Sequence, residues 1–173
     1  MTRYSSEEVT VHPDLRTWWL LCNGTGPQLD WDDPDEDHYP RAFLPGWYTF
    51  ISVEGAAELH SFLQDRSVGE EGFDPQWIPF AMFDPDGETG LFVDGRTGRT
   101  GEWTASGPFE ADGPALGAYL EQIADALEGS RGIDGAGVPV QIPHLLDGSL
   151  RWFDLGSAEM KGALVEGWTP LGE

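Results

Sequence analysis

The sequence contains very little cysteine and few basic residues. Its single cysteine, Cys22, cannot form a disulfide within the chain, which indicates a reducing compartment. Nine Lys and Arg face 31 Asp and Glu, and the formal net charge is −22. Nucleic acids and anionic membranes are bound through Lys and Arg, so the charge argues against both as partners. It favours a basic protein partner, or it serves solubility alone.

The chain also lacks a long apolar run. No stretch approaches the roughly 20 residues of a membrane-spanning helix, and the first ten residues lack the apolar centre of a secretion signal. We therefore expect a cytoplasmic protein. With 39% hydrophobic residues and eight Trp, the 173-residue chain can bury a core without metals or disulfides. Its length predicts one domain, residues 1–173.

Apolar periodicity and turn residues predict an α+β fold, with helices packed against a mainly antiparallel sheet of about five to six strands. Helices are expected at 13–24, 52–64 and 112–128, with a short one at 157–165. The expected strands are 47–51, 77–83, 91–94, 101–105, 138–142 and 150–153. Residue spacing in the first helix places Cys22 on its buried stripe.

The predicted core is aromatic and aliphatic. Burying Trp77 would remove about 200 Å² from water, which stabilises a fold by about 3–5 kcal/mol as an upper estimate. The residues assigned to the core are Trp18, Trp77, Pro79, Phe80, Leu116, Leu120 and Ile123.

Residues 30–37, DWDDPDED, carry six acidic side chains in eight positions and are typical of a solvated loop. Trp31 has no helix or strand beside it in the sequence. An aromatic side chain among charges is typical of an interface anchor, although the ring could instead fold back over the core. The partner-binding residues predicted on this basis are Asp30, Trp31, Asp32, Asp33, Asp35, Glu36 and Asp37.

Asp84, Asp86 and Glu88 could belong to a metal loop or to a hairpin turn. A calcium loop of the EF-hand type needs Gly at position 6 and Glu at position 12. Here Gly87 stands at position 4 and Gly95 at position 12, so the pattern favours a hairpin without metal. The four histidines are far apart and lack zinc-ligand spacing. No catalytic or cofactor-binding residues are predicted, and a hydrolase built from scattered Ser, His and Asp is a distant alternative.

Five segments occur in a distinctive order along residues 13–130: HPDLRTWWLLCNG, FLPGWYTFISVEGA, WIPFAMFDPDGETGLFVD, GEW and ALGAYLEQIADALEGS. Together they resemble the SUKH superfamily, in particular its Smi/Knr type of cell-wall assembly regulators and bacterial immunity proteins. Family members usually carry a longer helix before the first segment than the short stretch that precedes Pro13. Residues 131–173 would form a C-terminal extension with two strands and a tail.

The resemblance implies a hairpin at 84–90, no catalytic residues and no cofactor. It also implies a function, because bacterial members are mostly regarded as immunity proteins against toxins, many of which are nucleases. We therefore expect a non-catalytic protein that neutralises a cognate toxin by direct contact. The alternative is a regulatory or scaffold protein of the same fold with an unrelated protein partner.

Overall fold

The structure, a computed structural model, describes most of the chain. The described residues are 8–24, 43–66, 72–83, 87–105, 107–108, 111–129, 132–135, 138–146, 149–156 and 169–170. They form helices and antiparallel strands, so the predicted α+β class is confirmed. The strands belong to two sheets.

The first sheet is an antiparallel meander of five strands in chain order. The strands are β1 (Thr49–Phe50), β2 (Trp77–Met82), β3 (Gly90–Asp94), β4 (Thr100–Thr104) and β5 (Gly107–Pro108). β2 and β3 pair antiparallel from Trp77 opposite Asp94 to Met82 opposite Gly90. β2 and β3 therefore pair as the two arms of the predicted hairpin, while residues 84–86 of the connection lie outside the described residues.

The second sheet is built around one long strand. Its members are β6 (Ile133–Gly135), β7 (Val138–Leu146), β8 (Ser149–Asp154) and β9 (Thr169–Pro170). β8 pairs with β7 from Gln141 to Leu146. β6 also pairs with Gln141, and β9 pairs with His144 and Leu145, so all three positions have a partner on each side. Because a strand has only two edges, β6 and β9 share the edge opposite β8. β7 is thus the centre of this sheet.

The three helices are α1 (Pro13–Leu21), α2 (Val53–Arg66) and α3 (Leu116–Gly129). α1 ends earlier than predicted, because Cys22 adopts an extended conformation with φ −148° and ψ 98°. Cys22 is therefore half-buried at the C-cap and not on a helical stripe, and its thiol donates to the carbonyl of Gly24 at 3.3 Å. Placing it on the buried stripe of α1 was wrong.

α3 begins four residues later than predicted. The segment before it runs alongside β4: the N–H of Gly113 donates to the carbonyl of Thr100 at 3.0 Å, and the N–H of Thr100 donates to Pro114 at 2.9 Å. Ala115 forms a bridge with Arg99. These backbone bonds hold residues 112–115 in an extended path, so the helical periodicity of the sequence is realised only from Leu116 onward.

The predicted strand at 47–51 is shorter in the structure. Pro45–Trp47 form a 3₁₀ turn, which the hydrogen bond from Leu44 N–H to the carbonyl of Tyr48 closes at 3.1 Å. Gly46 has φ +78° and Trp47 has φ +66°. The Pro-Gly pair favours a turn over an extended strand, so only Thr49 and Phe50 join the sheet. The helix predicted at 157–165 lies outside the described residues.

The first sheet is covered on both faces. One face contributes Phe50, Phe80 and Val93 to a core shared with Leu15 of α1, with Leu116 and Ile123 of α3, and with Trp152 of the second sheet. The other face contributes Met82, Phe92 and Trp103, which pack with Ala56 and Leu59 of α2. Neighbouring strand residues point to opposite faces, so a sheet covered on both sides has continuous apolar strands such as β2.

Four of the seven predicted core residues are buried: Pro79, Phe80, Leu116 and Ile123. The other three, Trp18, Leu120 and Trp77, are only partly buried. Trp18 and Leu120 pack against the first cluster from outside, and Trp77 lies at the end of β2, where it packs against the second cluster. These three residues therefore contribute to the core from its border rather than from its centre. Among the described residues, no helix is both long and apolar enough to cross a membrane.

Candidate functional site

The predicted partner-binding residues, 30–37, lie outside the described residues, as do Asp84 and Asp86. The structure does describe both flanks of the acidic segment. On its N-terminal side, Asn23 accepts a hydrogen bond from the N–H of Val53 at 2.9 Å, and its amide donates to Glu54 Oε2 at 3.3 Å. Asn23 therefore caps α2 and joins the end of α1 to the beginning of α2.

This joint exposes apolar side chains. Leu20 is 71% exposed, Leu21 is 79% exposed and Val53 is 42% exposed. The buried side of α1 is formed by Leu15, with Trp18 and Trp19 half-buried, and the two leucines fall outside this stripe. We call Leu20, Leu21, Val53, Glu54 and Glu58 the junction surface. Exposed apolar side chains in the same region as acidic ones are candidates for a protein interface.

Glu54 of the junction surface is ionised at neutral pH. The pKa of Glu54 is lowered by the hydrogen bond from its own backbone N–H and further by the amide of Asn23. Glu54 also occupies the first turn of α2, where the helix dipole favours a negative charge. Glu58 follows one turn later and is exposed. The first turn of α2, which Asn23 joins to the end of α1, therefore presents negative charge.

The C-terminal flank of the acidic segment is held by the second sheet. The indole N–H of Trp152 donates to the carbonyl of Phe43 at 3.0 Å, and the N–H of Gly46 donates to Gln141 Oε1 at 2.6 Å. Phe153 meets Trp47 edge to face at 6.1 Å. Both flanks of the predicted partner-binding segment are thus anchored, one at the α1–α2 joint and the other on β7 and β8.

A second acidic feature lies on α3. Glu121, Asp125 and Glu128 are exposed and follow one another at helical spacings of four and three residues, and α3 contains no basic residue. Asp125 and Glu128 stand near the negative end of the helix dipole. Like charges at these spacings repel, so this arrangement opposes helix stability. We call these three residues the α3 stripe.

Three exposed arginines are bound to groups of the same chain. Arg96 bonds Asp74 at 2.8 Å and Asp94 at 3.1 Å, Arg99 donates to the carbonyl of Asp112 at 2.6 Å, and Arg66 lies over the ring of Phe62 at 5.1 Å. Positive charge from these residues is therefore directed at neighbouring groups of the same chain. The field that an approaching partner meets is dominated by carboxylates.

Asp94 and Arg96 are a structural pair in the β3–β4 turn. Asp94 is 6% exposed and accepts from the backbone N–H of Arg96 at 2.8 Å as well as from its guanidinium. Burial acts to raise the pKa of Asp94, but the hydrogen bonds from Arg96 outweigh it and the pKa is lowered. The same bonds raise the pKa of Arg96. This pair closes a turn and offers no open coordination position.

In the part of the chain that the structure describes, no group of three or more His, Cys, Asp or Glu could hold a metal ion. His12 accepts a hydrogen bond from the N–H of Asp14 at the beginning of α1, and His60 lies 3.0 Å from the carbonyl of Pro75. His144 is fully buried in β7, with Nδ1 3.2 Å from the carbonyl of Ile142. His38 lies outside the described residues. The three described histidines belong to separate parts of the fold.

Comparison of the chain with family models, with curated proteins and with solved structures finds no significant match. The site therefore has to be argued from its own residues. Sequence reasoning missed the junction leucines, although a signal was present: Leu20 and Leu21 follow Trp18 and Trp19 but lie off the apolar stripe that begins at Leu15. Apolar residues outside a helix's buried stripe are candidates for contact with a partner.

Proposed function

We propose that this chain is a non-catalytic protein-binding domain that neutralises a basic toxin domain by direct contact. The observation that carries this proposal is the junction surface, where two strongly exposed leucines end the helix that Asn23 joins to the ionised Glu54. The acidic segment 30–37 follows α1 in the sequence and contains Trp31, the predicted aromatic anchor. Apolar anchors with an acidic surround match a partner that is basic at its surface.

The net charge of −22 supports a basic partner on kinetic grounds. Opposite charges on two proteins accelerate their association, and the acceleration is screened over about 8 Å at physiological salt. A toxin that cleaves nucleic acid has a basic groove, because it must neutralise phosphates. An acidic protein can occupy such a groove, which gives inhibition without any catalytic group.

The α3 stripe adds support from energetics. Its charges oppose both one another and the helix dipole, so they do not serve the stability of α3. Residues that oppose local stability are often kept for function. The stripe would contribute to long-range attraction of a basic partner rather than to a tight local contact.

The proposal is tested with a toxin domain encoded next to the gene for this chain. The chain is co-expressed with that toxin, and growth of the host is measured together with direct binding of the purified proteins. We expect the chain to restore growth and to bind. Failure to bind every toxin domain encoded beside the gene would contradict the immunity function and favour a regulator with another partner.

Variants of the junction surface locate the contact. Replacing Leu20 and Leu21 with Ala should speed dissociation, because exposed apolar anchors that become buried in a complex act mainly on the dissociation rate. Leu155 is 57% exposed in the turn after β8, so Leu155→Ala is a matched control. Equal dissociation rates for the double variant and this control would exclude the junction surface from the interface.

Variants of the acidic segment test electrostatic steering. Changing its six acidic residues to Asn and Gln should slow association at low salt and have less effect at high salt. Trp31→Ala should instead speed dissociation if the ring is buried against the partner. Association rates that are the same for the neutralised segment and the wild type at both salt concentrations would leave 30–37 as a solvated surface.

A further inference from the structure

Glu102 lies on a face of the first sheet where a carboxylate is unexpected. It stands opposite Leu91 in the β3–β4 pairing, and directly opposed residues of antiparallel strands point to the same face. Leu91 packs against the core cluster that α1, α3 and the second sheet cover. The next residue, Trp103, is buried on the other face. Glu102 therefore points toward the side that is otherwise apolar, where it is half-buried.

The carboxylate of Glu102 is held by a phenol rather than by a cation. The hydroxyl of Tyr48 donates to Glu102 Oε1 at 2.7 Å. In the parts of the chain that the structure describes, no Lys or Arg pairs with Glu102; the ion pairs of Arg96 go to Asp74 and Asp94. A carboxylate removed from water is normally matched by a positive charge or by several hydrogen bonds. The negative charge of Glu102 is thus only partly compensated.

The hydrogen bond from Tyr48 links this carboxylate to a further aromatic ring. Phe83 meets the ring of Tyr48 edge to face, with centroids 6.2 Å apart, and is 39% exposed. Tyr119 of α3 packs against the same core cluster as Tyr48. Burial raises the pKa of the Tyr119 phenol, and the negative charge of Glu102 raises it further. Tyr48, Phe83 and Glu102 thus form a contiguous group at the border between core and solvent.

Aromatic rings together with a carboxylate favour a cationic ligand. Aromatic faces attract cations through the negative potential of the ring, and a carboxylate adds a charge-assisted hydrogen bond. A hard metal ion needs six or more oxygen ligands, and one carboxylate does not supply them. An anion would be repelled by Glu102. A second copy of this chain is opposed by a net charge of −22 on each molecule.

We propose that Glu102, with the rings of Tyr48 and Phe83, binds a Lys or Arg side chain of a protein partner, while Tyr119 packs, half-buried, against the core. This inference rests on the proposed function for the source of the cation, since a basic partner presents such side chains on its surface. It assigns a role to a part of the fold away from the junction surface, and it can be tested without the partner.

The test uses small cations that carry the end groups of these side chains. Methylguanidinium and n-butylammonium are titrated into the protein, and the aromatic ¹H–¹³C signals of Tyr48 and Phe83 are followed by NMR. We expect saturable shifts confined to these rings and weak affinity, in the millimolar range or above. Glu102→Gln keeps the shape of the side chain and an acceptor for Tyr48 but removes the charge. It should weaken binding by about fivefold to tenfold.

Two further variants control for structural effects. Glu121→Gln removes one negative charge from the exposed α3 stripe and should leave the affinity for the small cations close to that of the wild type. Phe83→Leu removes an exposed ring without creating a buried cavity, and it should weaken binding by about twofold to fivefold. It therefore tests the site even if Glu102→Gln fails to fold.

Three results would overturn the inference. The first is an absence of shifts in both rings at saturating concentrations of both cations, and the second is equal affinity for wild type, Glu102→Gln and Phe83→Leu. The third is a response to tetramethylammonium alone, which would assign the site to a free quaternary ammonium ion instead of a side chain. Binding of the toxin domain is measured separately, so failure of this site and failure of the immunity function give different results.

Discussion

The indole ring of Trp77 stacks on the phenyl ring of Phe92, with centroids 4.5 Å apart and planes inclined by 21°. Phe73 meets both rings edge to face, at 5.6 Å from Trp77 and 5.5 Å from Phe92. Phe92 is fully buried, whereas Trp77 is partly exposed at the end of β2. Trp77 is thus the outer member of an aromatic cluster, and its contribution comes from ring contacts as much as from burial.

Trp77→Ala should lower the free energy of unfolding by about 2–3 kcal/mol, because the partly exposed site leaves only part of a cavity. Phe92→Ala at the buried centre of the cluster should cost more, about 3–5 kcal/mol. Urea unfolding followed by circular dichroism measures both. A cost for Trp77→Ala equal to or above that for Phe92→Ala would mean that Trp77 is a central core residue, as the sequence alone suggested.

The pair of Asp94 and Arg96 predicts a pH dependence. The pKa of Asp94 is lowered in the folded state from an ordinary value of 3.8. The ionised carboxylate therefore stabilises the fold above about pH 4, and this stabilisation is lost as the pH falls through the lowered pKa. Asp94→Asn should cost about 1–2 kcal/mol at pH 7 and progressively less below pH 4. Urea unfolding of the wild type and the variant between pH 2.5 and about pH 7 measures this difference. Asp65→Asn, at an exposed position, is the control. A loss of stability in Asp94→Asn that does not change with pH would contradict the prediction.

The α3 stripe predicts a variant that is more stable than the wild type. Asp125→Lys combined with Glu128→Lys would place positive charge at the C-terminal end of α3 and give Glu121 an oppositely charged neighbour four residues on. We expect a gain of about 0.5–1 kcal/mol in the free energy of unfolding. A second variant with Gln at both positions removes the repulsion without adding attraction, so it shows how much of the gain comes from each. If the Lys variant is less stable than the wild type, the acidic stripe serves the fold itself.

The β2–β3 hairpin predicts that calcium has no specific effect on stability. Thermal unfolding should give the same midpoint with and without sub-millimolar calcium, since the turn sequence lacks the ligands of a calcium loop. A rise of several degrees that disappears in Asp86→Ala would instead identify residues 84–88 as a metal site.

Local sequence signals predicted much of the first sheet. The turn residues after Phe83 and after Asp94 separate apolar runs, and these runs pair as β2, β3 and β4. α2 was predicted within two residues at either end, because Ser52 caps it: the N–H of Gly55 donates to Ser52 Oγ at 3.1 Å. In each case the interaction that sets the position of the turn or helix joins residues that are close together in the sequence.

Contacts between distant parts of the chain were harder to predict. The beginning of α3 depends on backbone bonds to Thr100 and Gly98, and the sequence of α3 contains no sign of them. Glu102 likewise has no local signal of burial, because nothing near it in the sequence shows that α3 and the second sheet cover its face. The junction leucines could be found by helical spacing, whereas the Glu102 site required the tertiary arrangement.

The central position of β7 has a consequence for hydrogen exchange. His144 and Leu145 are paired with β8 on one edge and with β9 on the other, although β9 is the last strand of the described chain. Their amides can exchange with solvent only when the strand that covers them separates, so the slowest exchange in this sheet should fall at the middle of β7. Amides of the two-residue strand β1 should exchange far sooner. β7 would then be among the last strands of this sheet to open, although it lies late in the sequence.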